Sequence, residues 1–253
     1  MSNPWHLYDL LIAGIDPTIM VKGNKSEGQW TRVATDDNGL GVAYAMSCYP
    51  GRTPDQHNAT MRGKPLTEVA QLAKSWDFSL ASVGMAAINA YYCHPDRATY
   101  NGFQPVTSHE SFPDLFRSYN DRVSGKKVVV IGHFPFAPEA LNQAGELIML
   151  ERNVQPGDLP DSACEYELFD ADYVFISGSS FVNKTAPRLM ELSRNAYSIM
   201  LGPSTPLHPA LFEFGVNEIT GLVTFNPEAM CSTLSTPGFP EMLVHGKRYS
   251  AVR

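Results

Sequence analysis

Four loops in the second half of this 253-residue chain carry side chains suited to binding or catalysis. The first, Gly132-His133-Phe134-Pro135, presents an imidazole that can act as base or metal ligand, or equally bond to a neighbouring loop. The second starts at Glu151 and continues through Pro156-Gly157-Asp158-Leu159-Pro160-Asp161-Ser162-Ala163-Cys164-Glu165. From Pro156 to Glu165, three carboxylates and a thiol suit a cation or proton transfer. Asp161 is equally well placed to cap a helix. Glu151 follows Gly132 by nineteen residues, close to the ~20-residue offset at which an acid takes ribose hydroxyls, and reads equally as a solvated strand end. The third loop, Ser177 to Thr185, sets Ser179, Asn183 and Thr185 at a strand-to-helix turn, where amides suit an anion or a polar ligand. The fourth, Gly202-Pro203-Ser204-Thr205-Pro206-Leu207-His208-Pro209, is fixed in shape by three prolines and reads as functional at a ligand-binding edge. His208 either faces that edge or packs structurally.

The same residues exclude familiar chemistries. Gly132 is not followed by the glycines of a dinucleotide fingerprint, which disfavours NAD and FAD. Phe181 stands where a nucleophile elbow would need Gly, which disfavours serine hydrolysis. Cys48, Cys93, Cys164 and Cys231 form no Cys-x-x-Cys pair, which fits free thiols rather than a zinc ribbon or a disulfide framework. With 19 Lys+Arg against 26 Asp+Glu the net charge is -7 and the pI ≈ 5.5, so neither nucleic acid nor an anionic membrane is an expected partner. No basic-then-apolar leader and no apolar run near the ~18 residues of a membrane span are present, which reads as a cytoplasmic protein.

Period and turn signals indicate what positions these loops. A helix over Trp5 to Ala13 precedes three short strands, Thr18 to Lys22, Trp30 to Thr35 and Gly41 to Met46. Leu66, Val69, Ala70 and Ala73 mark one helix, and the nearly all-apolar run Leu80 to Tyr91 a second, buried one. Pro95, Pro105 and Pro113 lie in a surface strap between Cys93 and Ser124. Five unbroken apolar strands follow, Lys127 to Ile131, Glu146 to Leu150, Tyr173 to Ile176, Tyr197 to Leu201 and Glu218 to Thr224. Such strands alternating with helices predict a parallel sheet of βαβ units. The fold class is therefore α/β: a Rossmann-like, doubly wound, mostly parallel sheet over 125–253, preceded by a smaller α+β domain over 1–124. Ligands of such sheets lie beyond the carboxyl ends of the strands, where all four loops fall.

The series Gly132-His133-Phe134-Pro135, Gly157-Asp158-Leu159-Pro160 to Glu165-Tyr166, Asn183-Lys184-Thr185, Gly202-Pro203-Ser204-Thr205-Pro206-Leu207 and Phe212-Glu213-x-Gly215 resembles the "putative heavy-metal chelation" domain family. The first half, through Gly84-x-Ala86-Ala87-Ile88-Asn89-Ala90, is similar to that family's enolase N-terminal-like partner domain. The resemblance implies an enolase N-terminal-like domain on a Rossmann-like domain, a role in trace-metal handling and a site in the cleft between the two. Lining residues carried over are His133, Phe134, Glu165, Ser179, Asn183, Thr185 and the Gly202 to Leu207 loop, with Asn89 and Lys22 contributed by the first domain. Enolase chemistry is not implied, for no eight-stranded barrel can be accommodated. The expected ligand is a divalent or heavy metal ion, or a metal-chelating small molecule, with His133 and Glu165 as metal donors. The alternative is an enzyme that makes or modifies a chelator or cofactor, holding S-adenosylmethionine or another nucleoside at Glu151. Whether the chain turns anything over stays open, and a homodimer is compatible with either reading.

Overall fold

Short runs of β-branched residues become central strands here because both of their faces are covered. The structure, a computed structural model, describes residues 3–47, 60–106, 111–235 and 241–253; Cys48 lies outside them, and Cys93, Cys164 and Cys231 are free thiols as expected. The first half contains α1 (His6–Ala13), then β1 (Val21–Glu27), β2 (Trp30–Thr35) and β3 (Leu40–Tyr44), which form an antiparallel sheet in that order. Helices α2 (Leu66–Ala70) and α3 (Phe78–Tyr92) follow, α3 being capped where the Asp77 carboxylate accepts the Ser79 N–H at 2.9 Å. Gly41 lets β3 lie directly on α3, since a Cβ there would stand 2.0 Å from both Ala86 O and Ala90 N.

The first strand corrects the sequence reading. Thr18 belongs to a turn closed by Asp16, and β1 runs later, through the polar segment Val21–Glu27. That segment is extended because it pairs as an edge with β2, with its register shifting between Val21 and Gly23.

The strap is also more structured than expected. It folds into α4 (Pro95–Tyr100), β4 (Gln104–Pro105) and α5 (Phe112–Arg117). Next come β5 (Lys127–Ile131), α6 (Ala137–Ala140), β6 (Glu146–Glu151), β7 (Leu159–Pro160), α7 (Cys164–Glu167), β8 (Tyr173–Ser177), α8 (Ala186–Leu192), β9 (Tyr197–Leu201), α9 (Ala210–Glu213), β10 (Glu218–Thr224), α10 (Pro227–Leu234) and β11 (Gly246–Val252). They build one eight-stranded sheet in the order β4-β11-β10-β9-β8-β5-β6-β7. Strands β5 to β10 run parallel to one another, whereas β11 and β4 add an antiparallel edge.

Alternate side chains of the parallel strands point to opposite faces. Val128, Val130, Phe175, Ile199 and Leu201 meet Leu115 and Phe116 of α5, Ala137 of α6 and Leu141 just after it on one face. Val129, Val174, Ile176, Met200 and Ile219 share the other face's core with residues of α1, α2 and α3. A third cluster joins Trp30, Leu40 and Val42 of the small sheet to Leu222, Met230 and Leu234. The small sheet and its helices thus pack on the large one through buried apolar surface. Among the described residues no helix is long and apolar enough to cross a membrane.

Candidate functional site

Strand order locates the site before any side chain does. Moving along the sheet from β5, sequence runs one way through β6 and β7 and the other way through β8, β9 and β10, so the order reverses between β5 and β8. A crevice opens outside the carboxyl ends of the two strands at such a switch point. Here those ends are Gly132-His133 and Ser177-Gly178-Ser179. Gly132, at φ 113°, makes the turn out of β5, in a left-handed region that other residues rarely adopt. A Cβ on it would lie 3.5 Å from the Ser177 Cβ, so the two strand ends are in contact.

His133 is held at both ends. Its backbone N–H donates to Glu151 Oε2 at 2.9 Å, and its Nδ1 lies 2.9 and 3.1 Å from the two oxygens of Asp158. The Asp158 side chain is fully buried while His133 keeps 31% of its side-chain surface exposed. Asp158 also accepts the Gln155 N–H at 3.0 Å, which ties it to its own loop. A carboxylate only accepts, so Nδ1 is the donor and the neutral ring carries its lone pair on Nε2. Beside it, the hydroxyls of Ser177 and Ser179 bond to one another at 2.9 Å.

Glu151 sits where the sequence reading put it, at the end of β6, but is already engaged. Its Oε2 holds His133 and its Oε1 accepts the Asn153 N–H at 2.9 Å. The carboxylate thus ties its own loop to the turn that follows β5. Tyr44, at the end of β3, is close enough to feel the charge of Glu151. Burial raises its phenol pKa, and the negative charge of Glu151 raises it further.

Several expected site residues do other work. Both oxygens of Glu165 are taken by Arg188, at 2.9 Å from Nε and 2.6 Å from Nη2, a fork that holds its carboxyl below the usual range. Asp161 caps no helix, and its carboxylate pairs with Arg152 Nε at 2.8 Å. Phe134 turns into the aromatic cluster under the sheet, with ring centroids 5.2 Å from Phe116 and 5.7 Å from Phe136. Asn183 and Thr185 satisfy each other: Asn183 Oδ1 accepts both the Thr185 N–H and its hydroxyl, closing the turn before α8 around Lys184 at φ 70°. Lys22 is exposed at the far end of the small sheet, where Val21 faces Thr35, whereas Tyr44 pairs with Trp30 at the near end.

The proline loop is a wedge, not a cleft wall. Pro203, Ser204, Thr205, Pro206 and Leu207 are all buried, with Gly202 and His208 half-exposed and Pro209 exposed at the two ends of the stretch. Ser204 Oγ accepts the Tyr44 N–H at 2.8 Å, Asn89 Nδ2 donates to Val42 O at 2.8 Å and to Pro203 O at 3.4 Å, and the Cys93 thiol faces Thr205 O at 3.6 Å. Asn89 therefore bridges the two sheets. Gly178 allows the β8 loop to sit against the same wedge, since a Cβ there would come within 2.6 Å of the Thr205 nitrogen. His208 packs edge-on against Tyr92 at 4.7 Å between centroids, and burial lowers its pKa.

Hydrogen bonds join His133, Asp158 and Glu151, and the strand end carrying Ser177 and Ser179 lies against Gly132. Among the described residues no three of His, Cys, Asp and Glu stand together as a ready metal cage. Asp158 was visible in sequence as one acid among three in its loop; that it alone is buried depends on the return of residues 155–158 towards β5.

The sequence profile of the DUF364 family, described as "Putative heavy-metal chelation", matches residues 114–253, and that of DUF4213, described in the same words, matches residues 8–92. A crystal structure of a DUF364 protein from Desulfitobacterium hafniense DCB-2 is 32% identical, with 99% of this chain and 98% of that one covered and a TM-score of 0.84. A DUF364 protein from Pyrococcus horikoshii shares the fold at 18% identity, with 99% of each chain covered and a TM-score of 0.75. An uncharacterized protein of Methanocaldococcus jannaschii is 29% identical over 164 residues, a match spanning 62% of this chain and 59% of that protein.

Proposed function

Since the chain belongs to the DUF364 family, described as "Putative heavy-metal chelation", we propose that it binds a metal ion or a metal-chelating small molecule at the β5–β8 switch point, with His133 Nε2 as the protein's donor. The observation that carries this reading is the buried Asp158 carboxylate on His133 Nδ1. A carboxylate on the far nitrogen fixes the tautomer and aims the ring, the arrangement found behind metal-ligating histidines. Glu151 adds to this by holding the His133 main chain, so that backbone and ring are both fixed before a ligand arrives. An imidazole nitrogen suits nickel, cobalt, copper or zinc better than calcium or magnesium.

Glu165 is not part of this donor set, because Arg188 already neutralises it. Nothing in the geometry favours the nucleoside reading over this one, given that both Glu151 oxygens hold main-chain amides. Calorimetric titration with nickel, cobalt, copper and zinc tests the proposal. Binding that is lost in His133→Ala supports it; no binding tighter than ~1 mM, an affinity of about 4 kcal/mol, for any ion or chelate rejects it.

A further inference from the structure

Independently of the His133 site, we infer that β6 pairs antiparallel with β6 of a second copy of this chain, across a two-fold axis at Leu147 that joins the two eight-stranded sheets into one.

The strand is open on one side. Strand β7 pairs with β6 only at Leu150 and Glu151, so among the described residues 146–149 have a strand neighbour towards β5 alone. The Glu146 N–H donates to Lys126 O and Leu150 O accepts the Gly132 N–H, both on the β5 side. Main-chain groups alternate in direction along a strand, so Leu147 turns its N–H and its C=O together to the open side. Exposed edges of this kind are usually blunted by charge or proline. Leu147, Ile148 and Met149 carry neither and are half-exposed, whereas Val128, Val129 and Val130 of β5 are fully buried.

The edge is complementary to itself. With a two-fold axis at Leu147, each copy's Leu147 N–H donates to the C=O of the same residue in the other, closing a hydrogen-bonded antiparallel pair. Residues paired in this way share a face. The leucine of the second copy therefore enters the groove of about 400 Å³ beside β6, which Leu147 lines with Leu141, Ala144, Met149 and Pro156. Glu146 is set opposite Ile148, so like charges do not meet directly across the pair. The chain that continues from this edge also exposes Val154, Leu159, Tyr166 and Phe169, a concentration of apolar surface that marks a protein contact.

Sedimentation velocity of the full chain over a range of concentrations tests the inference, with the parent compared with Leu147→Pro and Leu147→Lys. The parent is expected to dimerise. Leu147→Pro deletes the outward donor and spares the ladder to β5, a place where a strand accepts proline. It is expected to weaken the dimer about tenfold or more with the far-ultraviolet circular dichroism unchanged. Leu147→Lys sets two like charges at the axis and gives the same readout without altering the main chain. In a third variant, Leu147→Cys with Cys48, Cys164 and Cys231 changed to serine, a short thiol-reactive cross-linker is expected to join two chains. A parent that stays monomeric at every concentration overturns the inference, and is the outcome if the edge receives a strand of a different protein. A dimer that both Leu147→Pro and Leu147→Lys leave intact, or no cross-link in the third variant, overturns it as well.

Discussion

At the scale of the residue, the central relation is between a buried acid and a half-exposed base. Asp158 and His133 are separated by twenty-four residues, yet the shorter Nδ1–carboxylate distance is 2.9 Å. Asp158→Asn keeps the shape but replaces the acceptor-only carboxylate with an amide, which can face the ring through its NH₂ and free the other tautomer. Loss of such a partner to a ligating histidine costs about 10–100-fold in metal affinity. Titration of the variant should show a fall of that order, with its melting temperature close to the parent's. His133 was legible in sequence because a histidine just beyond a β-branched strand of a parallel sheet falls where ligands bind. Its partner was not, because Asp158, Asp161 and Glu165 look alike until burial and the positions of Arg152 and Arg188 separate them.

At the scale of the element, the proline-rich loop changes meaning. Its rigidity was apparent from Pro203, Pro206 and Pro209, but rigidity at a sheet's carboxyl edge serves a ligand and a packing wedge equally well. Residues 203–207 are buried against β3 and α3, which makes this loop the joint between the two sheets. Ser204→Ala strands the Tyr44 N–H at a largely dry seam, at a cost of about 1–3 kcal/mol. Chemical denaturation should register that loss, while metal affinity at His133 changes little. The five central strands were readable because Val, Ile and Leu fill both faces; β1 and β11 were not, since Val21–Glu27 and Gly246–Val252 are largely polar and are strands by virtue of pairing, β1 with β2 and β11 with β10 and β4.

At the scale of the molecule, the two sheets share one continuous core, in which Tyr8 of α1 donates to Phe181 O at 2.7 Å beside Val174, Ile176 and Met200. His208 lies at this junction, and its pKa is lowered from the usual 6.5 by burial. The unfolded chain then takes up the proton before the folded one does. Stability is full above about pH 6.5 and falls as pH drops through the folded pKa. Denaturant midpoints should therefore decline on the acid side of that value, and less so in His208→Gln, which stays neutral and keeps an acceptor for the Ala210 N–H. An equal decline in both proteins would show that His208 does not carry the effect.

The most direct test of the account is anomalous scattering from crystals soaked with a copper or nickel chelate. It predicts a metal peak about 2 Å from His133 Nε2, the length of a metal–imidazole bond, on the side of the ring away from Asp158. A peak at Glu165, at the seam around Ser204, or nowhere on the chain despite measurable binding in solution would contradict it.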